Sequence, residues 1–323
     1  MVQGGPAVQI GVIVLSILGL WVGARLLVDA VVRLARRFGL SDLTIGLTIV
    51  AMGTSTPELS VSVDAALKGI GDIAVANVLG SNIYNLAFIL GVVSLVRVIP
   101  IQKSLLHRDG FALLVATAVG GIALADLQIT RLEGVVLAGL FAGYTVYLLR
   151  TNRPEPSAAV GDADSATLTR AVTEQVSFRG RDVLFLVGGL AIVLVSGDFM
   201  VVAASELARG VGISEWVIGG TIVAAGTSTP EFAVSLVAIQ RGSLGVSVGN
   251  VVGSNIYNIT GILGVAAIVR PLGVSGVALE TFAWLAVVSL LMVAALWTGR
   301  VLSRLEGGLF TASEIVRWVL GIR

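Results

Sequence analysis

The sequence contains no cysteine and a single histidine, His107. Disulfides, thiolate chemistry and cysteine-held metals are thereby excluded, and a histidine-based zinc site is out of reach. His107 lies among Lys103, Arg108 and Asp109 and reads as an interfacial loop residue. Charge is scarce too: Asp, Glu, Lys and Arg make up 13% of 323 residues, against about 25% in a soluble domain. The formal net charge of +1 gives no basis for a nucleic-acid partner.

What is present is apolar. Hydrophobic residues make up 56% of the chain, and the mean hydropathy is +0.97. Several runs are long enough to cross a bilayer, and 40 glycines suit close helix packing in lipid. Unbroken runs of this length argue against a β-barrel, whose strands would alternate over short segments. The expectation is an all-α polytopic protein in contact with membrane lipid. The first run begins near Val8 without a basic leader or a clear cleavage site, and reads as a retained span.

Ten spans fit the hydropathy: roughly 8–30, 42–67, 72–96, 110–127, 132–149, 181–204, 214–239, 245–269, 276–298 and 302–320. The last carries Glu306, Glu314 and Arg317, and its Glu314 and Arg317 are spaced to pair on one helix face. The one long polar stretch, 151–180, holds Pro154, Pro156, Asp162 and Asp164 and reads as a cytoplasmic linker. It separates residues 1–150 from 181–323, with five spans in each.

The halves are copies. Ala51-Met52-Gly53-Thr54-Ser55-Thr56-Pro57-Glu58 returns as Ala224-Ala225-Gly226-Thr227-Ser228-Thr229-Pro230-Glu231, an offset of 173 residues from Ala51 to Ala224. Leu34-Ala35-Arg36 and Leu207-Ala208-Arg209 keep that offset, as do Arg131-Leu132-Glu133-Gly134 and Arg304-Leu305-Glu306-Gly307. Positive charge orients them. With both termini outside, the inner segments carry Arg33, Arg36, Arg37, Arg97, Lys103, Arg108, Arg150, Arg153, Arg170, Arg179, Arg181, Arg241, Arg300 and Arg304. The outer ones carry Lys68, Arg131, Arg209, Arg270, Arg317 and Arg323, a ratio of fourteen to six. Five spans per half then make the copies inverted, an architecture that places a transporter's site at the repeat interface.

Glu58 and Glu231 are carboxylates in apolar surroundings, where charge is costly and usually functional. Meeting near the membrane centre, they would repel unless a cation or a proton intervenes. A divalent cation balances them, and the all-oxygen donor set suits calcium better than softer metals. Pro57 and Pro230 lack the N–H that the carbonyls of Gly53 and Gly226 would otherwise bond, so both helices are expected to break there. Carbonyls around Ala51–Thr54 and Ala224–Thr227 are then expected to face an ion, beside the hydroxyls of Thr54, Ser55, Thr227 and Ser228. The competing reading of each copy is a proline kink with local Ser and Thr bonds.

A second motif follows on the next span. Asn77-Val78-Leu79-Gly80-Ser81-Asn82-Ile83-Tyr84-Asn85 returns as Asn250-Val251-Val252-Gly253-Ser254-Asn255-Ile256-Tyr257-Asn258. Ser81 and Asn85 are four apart, as are Ser254 and Asn258, so each pair shares a helix face. For Asn77, Asn82, Asn250 and Asn255, ion ligation and simple helix–helix bonding are both open. Asp64 lacks an acidic counterpart, since Val237 stands in the other half, and it suits a vestibule or a surface pair. Glu280 suits a helix entrance. Arg25 and Asp198 occupy equivalent places and could attract one another as gating residues.

These doubled motifs resemble the two alpha repeats of the calcium/cation antiporter superfamily, especially prokaryotic sodium/calcium exchangers. The resemblance covers nearly the whole chain. It implies a central calcium site at Glu58 and Glu231 with Thr54 and Thr227. Flanking sodium sites would draw on Ser55, Ser81, Ser228 and Ser254 and on carbonyls near Ala51 and Ala224, with Asn85 and Asn258 completing the centre. It implies sodium-for-calcium antiport by alternating access in a prokaryotic cell membrane, with the first and sixth helices sliding against the other eight. No enzyme chemistry, resident cofactor or obligatory protein partner is implied. Two positions depart from the family's pattern. Asn258 stands where many members carry Asp, and Arg25 where a small or acidic residue is common. A proton/calcium antiporter, a cation channel and a nontransporting scaffold are the alternatives.

Overall fold

The computed structural model describes residues 5–100, 105–151, 180–210, 224–299 and 301–320. The chain runs through α1 (Pro6–Phe38), α2 (Asp42–Thr54), α3 (Thr56–Lys68), α4 (Gly71–Val96), α5 (Leu105–Leu124) and α6 (Arg131–Thr151). The second half follows with α7 (Gly180–Gly210), α8 (Ala224–Thr227), α9 (Thr229–Gln240), α10 (Leu244–Val269), α11 (Val277–Gly299) and α12 (Arg304–Leu320). Among the described residues, seven of these helices are long and apolar enough to cross a membrane unaided. The expected linker lies almost wholly outside the described residues, as does the first part of the expected 214–239 span. Together α2 and α3 form one interrupted rod, and α8 and α9 the corresponding part of another.

Four two-residue strands show how the halves are related. β1 (Ile99–Pro100) pairs with β4 (Val301–Leu302), and β2 (Gln128–Ile129) with β3 (Leu272–Gly273), both antiparallel. Shifting Ile99↔Leu302 by the repeat offset gives Ile129↔Leu272 with the partners exchanged. The register is therefore two-fold symmetric. β1 precedes α5 and β2 follows it, so the two ribbons cap opposite ends of the bundle. α5 runs from the β1–β4 end to the β2–β3 end, whereas its copy α11 runs the other way. The halves are inverted.

The repeated Arg-Leu-Glu-Gly segment gains a structural reason. Thr130 and Glu133 form a reciprocal cap at the start of α6, with Thr130 N–H donating to Glu133 at 2.7 Å. Ser303 and Glu306 do the same for α12 at 2.9 Å, so both copies open with a capping box. Their glycines admit a neighbour's backbone: a Cβ at Gly134 would lie 2.8 Å from the Gly264 carbonyl, and one at Gly307 2.7 Å from that of Gly91. Gly253 likewise lets α10 meet α2 at Leu47. The partner expected for Gly80 by symmetry lies outside the described residues. In α12, Arg317 and Glu314 pair at 2.6 Å as expected, with Glu314 buried.

The apolar interior divides into two clusters. The larger joins α3, α4, α5, α6, α9, α10 and α11 with parts of α2 and the strands. The smaller is built mainly by α1 and α7 against α9 and the start of α2 and α10. Arg33 on α1 pairs with the buried Asp182 on α7 at 2.7 Å, and Gly23 faces Gly189. These contacts run in opposite directions along the two helices, so α1 and α7 form an antiparallel pair beside the main body.

Candidate functional site

The interruption falls where the proline argument places it. α2 ends at Thr54 and α3 begins at Thr56, with Ser55 between them at φ −80°, ψ 17°. Ser228 separates α8 from α9 at φ −90°, ψ 9°. Glu58 and Glu231 then sit in the first turns of α3 and α9, where unpaired N–H groups and the helix dipole favour negative charge.

One expectation needs correction. The Ala51 carbonyl is not released by the break, because it accepts the Ser55 N–H at 3.0 Å. Proline removes a donor only from the carbonyl four residues back, which is Gly53, and Thr56 Oγ1 takes that oxygen at 2.7 Å. In the second half Thr229 Oγ1 donates to the Ala225 carbonyl at 3.2 Å. The local Ser/Thr bonding weighed as an alternative is therefore real, but it engages Thr56 and Thr229 and leaves Ser55 and Ser228 for another partner.

That partner is the opposite half. Ser55 Oγ donates to Glu231 Oε1 at 2.7 Å, and Ser228 Oγ donates to Glu58 Oε1 at 2.9 Å. The four side chains are fully buried. Each carboxylate is thus held by the serine at the other helix break. Thr54, also buried, donates to Asn250 Oδ1 at 3.0 Å and borders Glu231. Thr227 occupies the equivalent place and is half-buried.

The asparagines divide by role. Asn77 Nδ2 donates to the Glu58 carbonyl at 3.1 Å and to Ser62 Oγ at 3.0 Å. Asn250 Nδ2 donates to the Glu231 carbonyl at 3.2 Å and to Ser235 Oγ at 3.0 Å. Both bind the acid-bearing helix to the next span, which is the helix-bonding reading. Asn82 Nδ2 donates to the Asn255 carbonyl at 3.0 Å, joining α4 to α10 across the repeats. Ser62 and Ser235 were not singled out from sequence, although they share the repeat offset and stand out by that signal.

Asn85 and Asn258 lie in π-helical turns, Tyr84–Ile89 and Tyr257–Ile262, that interrupt α4 and α10. Asn258 Nδ2 donates to Asn82 Oδ1 at 2.9 Å. Among the described residues of the two motifs, seven buried side-chain oxygens lack a hydrogen-bond partner; Asn255 Oδ1 stands alone, and the other six are Glu58 Oε2, Glu231 Oε2, Ser81 Oγ, Ser254 Oγ, Asn85 Oδ1 and Asn258 Oδ1. These six form three repeat-related pairs. An orphaned buried polar atom ordinarily costs about 1–3 kcal/mol, so this repeated set is the strongest candidate for a ligand site in the fold. Only the two carboxylates carry charge, and neutral oxygens surround them.

The remaining expected residues lie elsewhere. Arg25 rests over the Trp21 ring at 4.4 Å, while Asp198 is exposed on α7, so the two are not paired here. Asp64 is exposed and pairs with Lys68 at 2.5 Å. Glu280 is exposed in the first turn of α11. The Ala224 backbone begins α8.

Comparison with known proteins agrees with this geometry. The sequence model of the family described as "Sodium/calcium exchanger protein" matches residues 8–150 and 182–313. The inner membrane protein YrbG of Escherichia coli is 36% identical over 76% of this chain and 75% of its own. The sodium/calcium exchanger MaX1 of Methanosarcina acetivorans is 29% identical over 92% and 93%. A structure of the sodium-calcium exchanger NCX_Mj, soaked with sodium, superposes with a TM-score of 0.82 at 30% identity, covering 99% of this chain and all of that one. With two inverted five-helix repeats and a doubled acidic motif at their interface, the chain is a ten-span integral membrane protein of the sodium/calcium exchanger family.

Proposed function

We propose that this protein exchanges sodium for calcium by alternating access, as a secondary active antiporter in a prokaryotic membrane. The observation that carries the reading is the set of six partnerless buried oxygens around Glu58 and Glu231. One calcium ion neutralises the two carboxylates, with Thr54 and Thr227 beside them. Sodium draws on the Ser55, Ser81, Ser228 and Ser254 hydroxyls, on Asn85 and Asn258, and on the second lone pairs of the Ala51 and Ala224 carbonyls. Both ions need the same carboxylates, so occupancy by one opposes the other. That competition is what couples their movements.

Access alternates as the α1–α7 pair shifts against the main body, whose separate apolar cluster lets it move as a unit. The arginine-rich end of the bundle, with Arg97 and Arg304 beside the β1–β4 ribbon, faces the cytoplasm, and both termini lie outside. With sodium higher outside, sodium entry drives calcium out.

The test is calcium flux in proteoliposomes under an imposed sodium gradient, with potassium, magnesium and pH-gradient controls. Sodium-driven flux that Glu58→Gln abolishes is the expected result. Calcium flux driven by the pH gradient alone would replace sodium coupling with proton coupling. Large currents without coupling would indicate a channel.

A further inference from the structure

A second site lies away from the ion centre. A crevice of about 490 Å³ opens between α5 and α6, with Ile256 and Thr260 of α10 at its floor. Its lining is ordered by polarity. His107, Arg108 and Tyr147 stand at one end, and Val115, Ala116 and Leu140 wall the remainder. His107 and Val115 are eight residues apart on α5, about 12 Å at 1.5 Å per residue. The crevice is therefore a short apolar slot running inward from a polar mouth.

The mouth is a built structure. Arg108 Nε and Nη2 donate to Asp109 Oδ1 and Oδ2 at 2.6 and 3.0 Å, and Tyr144 Oη donates to Asp109 Oδ1 at 2.9 Å. Asp109 is fully buried, whereas the Arg108 side chain keeps 17% of its surface exposed. The carboxylate thus anchors the guanidinium at the rim. His107 packs against Trp297 of α11 with ring centroids 5.1 Å apart. Arg150, one turn beyond Tyr147 on the same face of α6, is exposed and adds a cation. The anchored guanidinium is not duplicated by the repeat: Thr281 and Phe282 stand at the positions equivalent to Arg108 and Asp109, although Arg323 matches Arg150.

We infer that this crevice binds a phospholipid with an anionic head group, its phosphate at Arg108, Arg150 and His107 and one acyl chain in the slot. The argument is charge and polarity matched along one axis in a bilayer-embedded chain. The mouth lies at the β1–β4 end, where Arg97 and Arg304 also stand, and basic pockets between spans at such an end suit anionic head groups. The floor residues flank Asn258 on α10, so an occupied crevice presses on the helix that carries part of the ion centre.

The test is native mass spectrometry of the delipidated full-length protein, titrated with phosphatidylglycerol, phosphatidylcholine of the same chains, or glycerol phosphate. The expected result is retention of phosphatidylglycerol about fivefold above phosphatidylcholine, the factor that one basic residue's attraction of about 1 kcal/mol produces. Val115→Trp, which fills the slot from an exposed position, abolishes retention of both lipids without lowering Tm. Arg150→Gln removes the preference and leaves chain binding. Equal retention of the two lipids, retention unchanged in Val115→Trp, or equal binding of glycerol phosphate would each overturn the assignment.

Discussion

The two copies of the polar centre match at their acids and serines and differ at the asparagines and in their surroundings. Asn258 donates to Asn82, whereas Asn85 Nδ2 and Asn255 Oδ1, at the exchanged positions, have no partner. Around Glu58, Thr54 is fully buried and Leu190 of α7 closes over Gly53, within 3.1 Å of where a Cβ would stand. Around Glu231, Thr227 is half-buried, Val201 of α7 closes still more tightly over Gly226, and an apolar cavity of about 510 Å³ lies between α1, α7, α4 and α9 beside Gly226 and Thr229. A different α7 side chain covers each break, Leu190 in one half and Val201 in the other, so the acids share a two-fold that their packing does not. The same split appears further out. Asp29 of α1 pairs with Arg241 after α9 at 3.1 Å, whereas the equivalent positions hold Val202 and Lys68. The two-fold is kept at the paired acids and serines and broken where α1 and α7 pack against the rest.

The largest expected effects test the symmetric part. Glu58→Gln and Glu231→Gln should each lower calcium affinity by about 100-fold or more, since removing one partner of a buried charge cluster costs about 3–5 kcal/mol. Equal losses in equilibrium calcium binding support a shared centre; a mild effect in one half would break the comparison. Next come Ser55→Ala and Ser228→Ala. Each deletes one hydrogen bond to the opposite carboxylate, worth about 1.5–3 kcal/mol for a charged acceptor, so roughly tenfold weaker binding is expected by the same titration. Asn77→Ala and Asn250→Ala touch no carboxylate oxygen and act mainly through helix position, although Asn250 also accepts the Thr54 hydroxyl. Interhelical bonds in membranes average about 0.6 kcal/mol, which predicts a Tm lowered by a few degrees and affinity reduced a few-fold, alike in both halves.

The smallest effect tests the asymmetric part. Asp29→Asn removes a partly exposed ion pair worth at most about 1 kcal/mol. It should change the ratio of forward to reverse flux up to about fivefold while calcium affinity at equilibrium stays put. Lys68→Gln, on the side without the pair to α1, should leave that ratio unchanged. Flux assays in oriented proteoliposomes read both.

Much of this was legible in the sequence because buried charge and a constant offset are strong signals. Glu58, Glu231 and the prolines beside them mark the turn in which both helices break, and the odd number of spans per half implies the inversion that the strand ribbons display. Other features depended on tertiary packing. The π turns holding Asn85 and Asn258 have no compositional mark, since the same residues continue an α-helix when neighbours permit. The Ala51 carbonyl stays in the helix ladder because proline withholds one N–H only, so a break at Pro57 does not free a whole turn. The Asp29–Arg241 pair joins residues far apart in sequence, and the absence of a repeat counterpart hid it from the offset that revealed Ser62 and Ser235. The polarity-graded crevice between α5 and α6 was invisible for a similar reason, with Asp109 and Tyr144 read as separate loop and span residues.

The most direct test of a shared centre is the number of calcium ions bound per chain at equilibrium, measured with sodium absent and then titrated in. One calcium per chain, displaced by sodium and lost in either Glu58→Gln or Glu231→Gln, is the predicted result. Two calcium ions per chain, with each substitution removing one and sparing the other, would contradict it.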